Sequence, residues 1–290
     1  MHRRLDPAWL DAQYNNRARV PEHPQILQRR AEASALVRQA TPGAQLDVPY
    51  GSGVRETLDV FPAAPTPGGG PAPVLVFIHG GYWRALDKAD HSFVAPAFNA
   101  AGATVVVPNY ALCPAVGIEH ITLQLARAVA WVWHHAGRFG GDPSRIALAG
   151  HSAGGHLTAM LLSCRWRDLD ADLPAQPVSG GLALSGLYDL EPLRHAPSLQ
   201  ADLKLTPASV ARLSPAFFPR LKGAKLHAVV GLDESDEFLR QNALIRDVWG
   251  PTAVPVCETV PGANHFTILN GLADPAGRVH ELALRLLGLH

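Results

Sequence analysis

The sequence predicts an α/β protein with a mostly parallel central sheet flanked by helices. Short apolar runs, typical of strands covered on both faces, alternate with longer stretches of helical periodicity. The predicted strands are residues 74–78, 104–107, 145–149, 181–184, 226–230 and 256–260. The predicted helices are residues 92–101, 118–139, 154–164, 236–248 and 275–287. Strands that alternate with helices favour right-handed βαβ crossovers, and these crossovers build a parallel sheet.

The chain before the first buried strand adds a helical arm and an antiparallel edge. Apolar residues at helical spacing predict helices within residues 1–43, which end at Thr41-Pro42-Gly43. We interpret this segment as an arm packed on the main domain, with Tyr14-Asn15-Asn16 as its one candidate for a part in the chemistry. Two extended runs around Gly51-Ser52-Gly53 predict a hairpin, and residues 62–73, rich in Pro and Gly, predict an exposed loop.

A long insertion, residues 188–222, interrupts the alternation after the predicted strand 181–184. It contains five prolines together with several leucines and phenylalanines. Ligands bind at the carboxyl ends of the strands in open α/β sheets, and the insertion follows such an end. We therefore expect a small cap over the site, within one domain that spans residues 1–290.

Composition excludes several classes of function. Lys+Arg and Asp+Glu both number 25 among the 290 residues, so nothing favours nucleic acid or an anionic membrane. No apolar run approaches the roughly 20 residues of a membrane span. The basic start of the chain lacks the apolar segment of a signal peptide. Three widely spaced cysteines predict neither a disulfide framework nor a zinc site. We expect a cytoplasmic protein without metal or nucleotide cofactor. The oligomeric state stays open, with a homo-oligomer among the alternatives.

The strongest motif is Gly150-His151-Ser152-Ala153-Gly154, which matches G-x-S-x-G. A predicted strand precedes it and a predicted helix follows it, and this is the context of a nucleophile elbow. In such a turn the serine takes a strained backbone conformation, and its hydroxyl projects at the carboxyl edge of the sheet. Ser152 is therefore the predicted nucleophile.

A serine hydroxyl needs a base, and a carboxylate must orient that base. In the chain order typical of an elbow, the acid and then the histidine follow the serine. His265 comes shortly after the last predicted strand, so we predict it as the base. Four carboxylates crowd the loop after strand 226–230. Glu234 is the preferred acid, Asp233 is the main alternative, and Asp236 comes third.

The loop after strand 74–78 reads His79-Gly80-Gly81-Tyr82-Trp83. Paired glycines let the backbone approach a substrate oxygen closely. We predict an oxyanion hole formed by the backbone N–H groups of Gly81, Tyr82 and Ala153, where Ala153 is the residue after the nucleophile. His79 is interpreted as a scaffold residue.

These motifs resemble the α/β-hydrolases and, more specifically, their kynurenine formamidase (arylformamidase) branch. The resemblance rests on motifs that span most of the chain in the order of that family. They are residues 79–83, 109–114, 150–157, 185–190, 234–241 and 264–266. It implies a triad of Ser152, Glu234 and His265. The animal enzymes have aspartate at the acid position, so Glu234 is a departure, and Asp233 stays an alternative.

The resemblance implies hydrolysis of N-formylkynurenine to kynurenine and formate. We accordingly expect a small aromatic amide or ester as substrate, with water as co-substrate. Trp83, Tyr188, Phe217 and Phe238 are the candidate apolar wall for the aromatic group, although ordinary core packing would explain Tyr188 and Phe217 equally well. Two alternatives remain: a carboxylesterase for short acyl esters, and a binding protein of the same fold that has lost catalysis.

Overall fold

The computed structural model describes residues 6–64, 69–219, 223 and 225–289. A few residues of the predicted exposed loop (65–68) and of the predicted cap (220–222) lie outside this range, as do the first five residues. The strands are β1 (Gln45–Pro49), β2 (Thr57–Phe61), β3 (Ala72–Ile78), β4 (Thr104–Pro108), β5 (Gly141–His151), β6 (Gly181–Leu184), β7 (Leu226–Gly231) and β8 (Val256–Val260).

The described α-helices complete the framework. They are α1 (Pro7–Tyr14), α2 (Asn16–Arg19), α3 (His23–Ala40), α4 (Ala95–Ala100), α5 (Ile118–His135), α6 (Ala153–Leu162), α7 (Trp166–Leu169), α8 (Glu191–Arg194), α9 (Pro197–Leu203), α10 (Pro207–Leu213), α11 (Asp236–Trp249), α12 (Asn270–Ala273) and α13 (Arg278–Leu287). Short 3-10 helices span Lys88–Val94, Ala136–Phe139, Pro215–Phe217 and Thr267–Leu269. No helix in the described part of the chain is long and apolar enough to cross a membrane.

The strands form one eight-stranded sheet in the order β1-β2-β4-β3-β5-β6-β7-β8. The strands from β4 to β8 along this order are parallel, and the β1–β2 hairpin adds an antiparallel edge. This architecture confirms the predicted fold class. The central strand β3 is buried on both faces from Val74 to Ile78, as its continuous apolar run predicts.

The register aligns the carboxyl ends of the parallel strands at one edge of the sheet. Ile78 of β3 pairs with Gly150 of β5, His151 pairs with Leu184 of β6, and Gly231 of β7 pairs with Val260 of β8. The loops that follow these strands are the ones in which the sequence places its candidate site residues. The sheet therefore brings those loops to one edge although they are far apart in the chain.

The arm docks on the sheet through buried charges. Arg38 of α3 forms an ion pair with Asp59 of β2, whose carboxylate is fully buried. Lys88, also buried, contacts the same carboxylate, with Nζ 2.7 Å from Oδ1. A buried carboxylate that lost these partners would carry a large desolvation penalty, so the cluster holds α3 to the sheet edge.

The described part of the insertion, residues 188–219, forms the short helices α8, α9 and α10 and a 3-10 turn. Its leucines are buried, among them Leu193, Leu199 and Leu213. The segment is therefore packed against the domain.

Candidate active site

Ser152 lies in the turn between β5 and α6, and its backbone is strained. Its φ of 57° and ψ of −117° fall in a region that side-chain-bearing residues rarely adopt. The glycines of the motif make this turn sterically allowed. A Cβ on Gly150 would lie 2.1 Å from the carbonyl oxygen of Gly154, and one on Gly154 would lie 2.0 Å from that of Ile78. The local geometry is that of a nucleophile elbow.

A chain of hydrogen bonds connects the serine to a histidine and a glutamate. The oxygen Oγ of Ser152 is 3.0 Å from Nε2 of His265, and Nδ1 of His265 is 2.6 Å from Oε2 of Glu234. All three side chains are buried. When Nδ1 donates to the carboxylate, Nε2 carries the lone pair that accepts the serine hydroxyl proton. The arrangement can therefore activate the hydroxyl as a nucleophile.

The structure separates Glu234 from its neighbouring carboxylates. The second oxygen of Glu234, Oε1, accepts from the backbone N–H of Gly231 at 2.9 Å and from the hydroxyl of Ser185. Asp233 is exposed, and Asp236 is exposed in the first turn of α11. Glu234 is thus the carboxylate that the structure places against His265.

Ser185 is a member of the site that the sequence analysis missed. It directly follows β6 and has a φ of 52°, and its backbone N–H donates to Val229 on β7. Its position immediately after a strand at the carboxyl edge was the available signal. Through its hydroxyl it fixes the carboxylate of Glu234.

Neighbouring side chains restrain the ring and the backbone of His265. The ring of Phe238 packs 4.5 Å from the His265 ring, centroid to centroid. His151 donates from Nε2 to the carbonyl oxygen of His265 at 2.8 Å. Burial, followed by the nearby His265, holds the pKa of His151 well below its ordinary value, so His151 is a neutral donor.

The loop after β3 carries three consecutive residues in the left-handed region. The φ values are 108° for Gly81, 50° for Tyr82 and 56° for Trp83. A Cβ on the preceding Gly80 would lie 3.1 Å from Cβ of Ser152, so the loop passes directly over the elbow. Among the described residues, no acceptor takes the backbone N–H groups of Gly81, Tyr82 or Ala153. These groups are free to bind an oxyanion.

His79 occupies the floor of this loop. Its ring stacks on that of Tyr110 with 4.3 Å between centroids. Burial lowers the pKa of His79 to about 4, so it is neutral at physiological pH. It does not contact His265 or Ser152 among the described hydrogen bonds, and its packing is that of a scaffold residue.

A cavity of about 380 Å³ opens beside Ser152. We call the residues at the sheet edge the cavity floor; they are His151, Ser152, His265 and Phe266. We call the residues from the arm and from α9 the cavity roof; they are Tyr14, Asn15, Asn16, Arg17, Leu27, Arg30, Ser198, Leu199 and Asp202. Residues of the loop after β3 complete the wall together with His91; they are Gly81, Tyr82, Arg84, Ala85 and Leu86.

The arm contributes most of this roof, which the sequence analysis did not predict. The Tyr14 hydroxyl donates to Oε2 of Glu237 on α11 at 2.8 Å. The Tyr82 hydroxyl donates to the carbonyl oxygen of Tyr14 at 2.7 Å. The polar run Tyr14-Asn15-Asn16 was the only signal for this contribution. Interpreting the segment as mere packing therefore understated its place in the structure.

None of the four aromatic residues predicted as a substrate wall lines the cavity. Trp83 is fully buried, with its ring edge against His156. Tyr188, the first residue of the insertion, is fully buried, and Phe238 is buried between His265 and Tyr14. Phe217 is 62% exposed in a 3-10 turn and is not among the residues that line the cavity. The prediction used aromatic residue type, whereas packing of the arm decided which residues line the cavity.

Comparison with known proteins relates this geometry to characterised enzymes. A family profile described as an alpha/beta hydrolase fold matches residues 75–242. The chain is 31% identical over 250 residues to a kynurenine formamidase of Danio rerio, covering 84% of this chain and 82% of the relative. It is 29% identical over 232 residues to a kynurenine formamidase of Drosophila melanogaster, covering 77% of this chain and 75% of the relative.

A solved structure from Silicibacter sp. tm1040, provisionally described as a thioesterase, superimposes with a TM-score of 0.82 at 30% identity. The match covers 94% of this chain and 98% of that one. An esterase of Pyrobaculum calidifontis superimposes with a TM-score of 0.68 at 18% identity, covering 91% of each chain, and this likeness concerns the fold alone.

Proposed function

The chain belongs to the α/β-hydrolase superfamily and, within it, to the kynurenine formamidase branch, and from this membership we propose that it is a serine hydrolase that cleaves the formyl amide of an aromatic amine. It is an enzyme of this superfamily. The observation that carries the proposal is the pair of hydrogen bonds that connects Glu234 to His265 and His265 to Ser152. Ser152 lines a cavity, and backbone N–H groups without a partner lie beside it. The formamidase relatives support the choice of a formyl amide as the bond that is cleaved.

In the proposed reaction Ser152 attacks the formyl carbon, and His265 takes the hydroxyl proton at Nε2. Glu234 stabilises the imidazolium that forms. The N–H groups of Gly81, Tyr82 and Ala153 bind the oxyanion of the tetrahedral intermediate, and one such donor contributes roughly 3 kcal/mol to transition-state binding in serine hydrolases.

Collapse of that intermediate breaks the C–N bond, and His265 returns its proton to the departing arylamine. Water then enters, His265 takes one of its protons, and the hydroxide oxygen adds to the formyl ester. Formate leaves and Ser152 regains its proton. Atoms balance: one amide and one water give one arylamine and one formic acid, which ionises to formate.

The test compares kcat/KM for N-formylkynurenine with that for p-nitrophenyl acetate. We expect the formamide to be the better substrate and Ser152→Ala to lower its kcat by about 10⁴-fold or more. A preference for the ester by orders of magnitude would overturn the formamidase proposal.

A carboxylesterase for short acyl esters is the second candidate, because the same machinery serves ester hydrolysis. The chain is 34% identical over 141 residues to the esterase LipC of Mycobacterium tuberculosis, and this match covers 48% of the chain. Labelling of wild-type protein, but not of Ser152→Ala, by a fluorophosphonate probe would support Ser152 as the nucleophile for either candidate.

A further inference from the structure

The cavity roof carries positive charge that the protein does not neutralise. Three arginines line the cavity: Arg17, Arg30 and Arg84. Its one lining carboxylate, Asp202, is already paired with Arg84 at 2.5 Å. Arg17 and Arg30 have no ion-pair partner among the described residues. The cavity roof therefore has two uncompensated cations in the same cavity as the candidate nucleophile Ser152.

Arg30 is the more unusual of the two, because it is only 6% exposed. Its Nη2 donates to the carbonyl oxygen of Phe266 and, at 3.0 Å, to Oδ1 of Asn270. Its Nε has no partner in the described part of the chain, and its guanidinium lies 5.3 Å from the Phe93 ring centroid. Burial lowers its pKa to about 10, so the group stays charged at neutral pH.

A buried guanidinium that meets only neutral acceptors costs free energy, and an anion would offset that cost. The positive field also reaches neighbouring groups of the wall. Arg30 is among the causes that lower the pKa values of His91 and His151, after burial and the adjacent histidines. These two imidazoles are thus neutral, and they do not compete as cations with the arginines for a bound anion.

We propose that Arg17 and Arg30 form a subsite that binds a carboxylate on the leaving group of the substrate. The planar fork of a guanidinium matches a carboxylate in shape and number of hydrogen bonds. Arg17 is exposed and lines the cavity, so its guanidinium has no buried partner to give up when it binds an anion there. A neutral acyl ester would leave both cations unused.

This inference rests on the proposed function, since it assigns the other end of the substrate cleaved at Ser152. It limits the substrate class to aryl amides or esters that carry a carboxylate. The cavity volume of about 380 Å³ lies in the range of small-molecule sites.

The test uses two substrate pairs whose members differ only in the anionic group. One pair is N-formylkynurenine and its α-carboxamide. The other is para-acetoxyphenylacetate and para-acetoxyphenylacetamide. We expect wild-type kcat/KM to favour the carboxylate in each pair that is hydrolysed, by about tenfold.

Arg17→Met and Arg30→Met should each reduce that preference about threefold, mainly through KM of the carboxylate member. Arg19→Met and Arg29→Met are matched controls, because both arginines are exposed neighbours that do not line the cavity, and they should leave the preference unchanged. Arg30 also donates a hydrogen bond to the carbonyl oxygen of Phe266, so Arg30→Met can unfold the protein. In that case Arg17→Met tests the subsite, because Arg17 is exposed.

Equal kcat/KM for both members of a hydrolysed pair would overturn the subsite, as would an equal loss for both members in Arg17→Met. If only the esters are cleaved and the carboxylate is preferred, the subsite stands and the formamidase proposal fails. If the formamides are cleaved without a carboxylate preference, the formamidase proposal stands and the subsite fails.

Discussion

The cavity floor and the cavity roof are built in different ways. The floor consists of buried residues that end a parallel strand, directly follow one or lie shortly after one, and hydrogen bonds connect His151 and Ser152 to His265. The roof consists mostly of polar residues from the arm and from α9, and it is held by bonds between residues far apart in the chain, such as Tyr14 to Glu237. The difference indicates that the sheet positions the chemistry while the docked arm shapes the space for the substrate.

The two regions also differ in charge. Around the floor, buried imidazoles such as His79 and His151 are neutral, because burial lowers their pKa values. The roof carries the uncompensated cations Arg17 and Arg30. Variants of the floor should therefore change kcat most strongly, whereas variants of the roof should change KM and substrate preference.

The largest effect is expected for Glu234, the carboxylate that accepts a hydrogen bond from His265 of the cavity floor. Glu234→Gln removes the carboxylate that orients His265 and stabilises its imidazolium, so we expect kcat to fall by about 10⁴-fold. Asp233→Asn is the matched control and should stay within about twofold, because Asp233 is exposed. Steady-state kinetics with the best substrate measures both. A larger loss for Asp233→Asn would assign the acid to that residue.

The second effect is a loss of stability in acid. Burial is the first cause that lowers the pKa of His79 to about 4, of His91 to about 3 and of His156 to about 4. In the unfolded chain the pKa of a histidine is about 6.5. Between pH 6.5 and about 4, the unfolded state therefore binds more protons than the folded state. As the pH is lowered through this window, the free energy of unfolding should decrease by up to about 1.4 kcal/mol per pH unit for each histidine.

Denaturant unfolding at several pH values measures this slope. His156→Gln should reduce the slope by about one proton, whereas His120→Gln, at an exposed position, should leave it unchanged. A free energy of unfolding that is flat between pH 6.5 and 4 would contradict the assignment of neutral histidines around the floor.

The smallest effect is expected for the hydrogen bond between Tyr14 of the cavity roof and Glu237 on α11. Tyr14→Phe removes the buried hydroxyl that donates to Glu237, so we expect a loss of about 1–3 kcal/mol in the free energy of unfolding and a higher KM. Tyr50→Phe is a matched control, since its buried hydroxyl donates to the carbonyl oxygen of Asn109, away from the cavity. It should destabilise the fold and leave KM unchanged. Equal KM changes in both variants would show that Tyr14 has no special place in the roof.

The motifs located the floor because its geometry is local or follows from strand order. A G-x-S-x-G turn between a strand and a helix positions Ser152, and parallel strands bring the loops that contain Glu234 and His265 to the same edge. The choice among adjacent carboxylates was less secure. It depends on which side chain turns inward, and the contacts of Glu234 with Ser185 and Gly231 decide that.

Residue types alone therefore determined the fold class and the identity of the candidate nucleophile and base. Only the tertiary structure showed that Tyr14, Arg17 and Arg30 line the cavity beside Ser152, while Trp83, Tyr188 and Phe238 are core. The physical reason lies in the range of the interactions. An elbow and a strand end are set by neighbouring residues, whereas a docked arm is set by contacts across more than two hundred residues of chain, which no local pattern encodes.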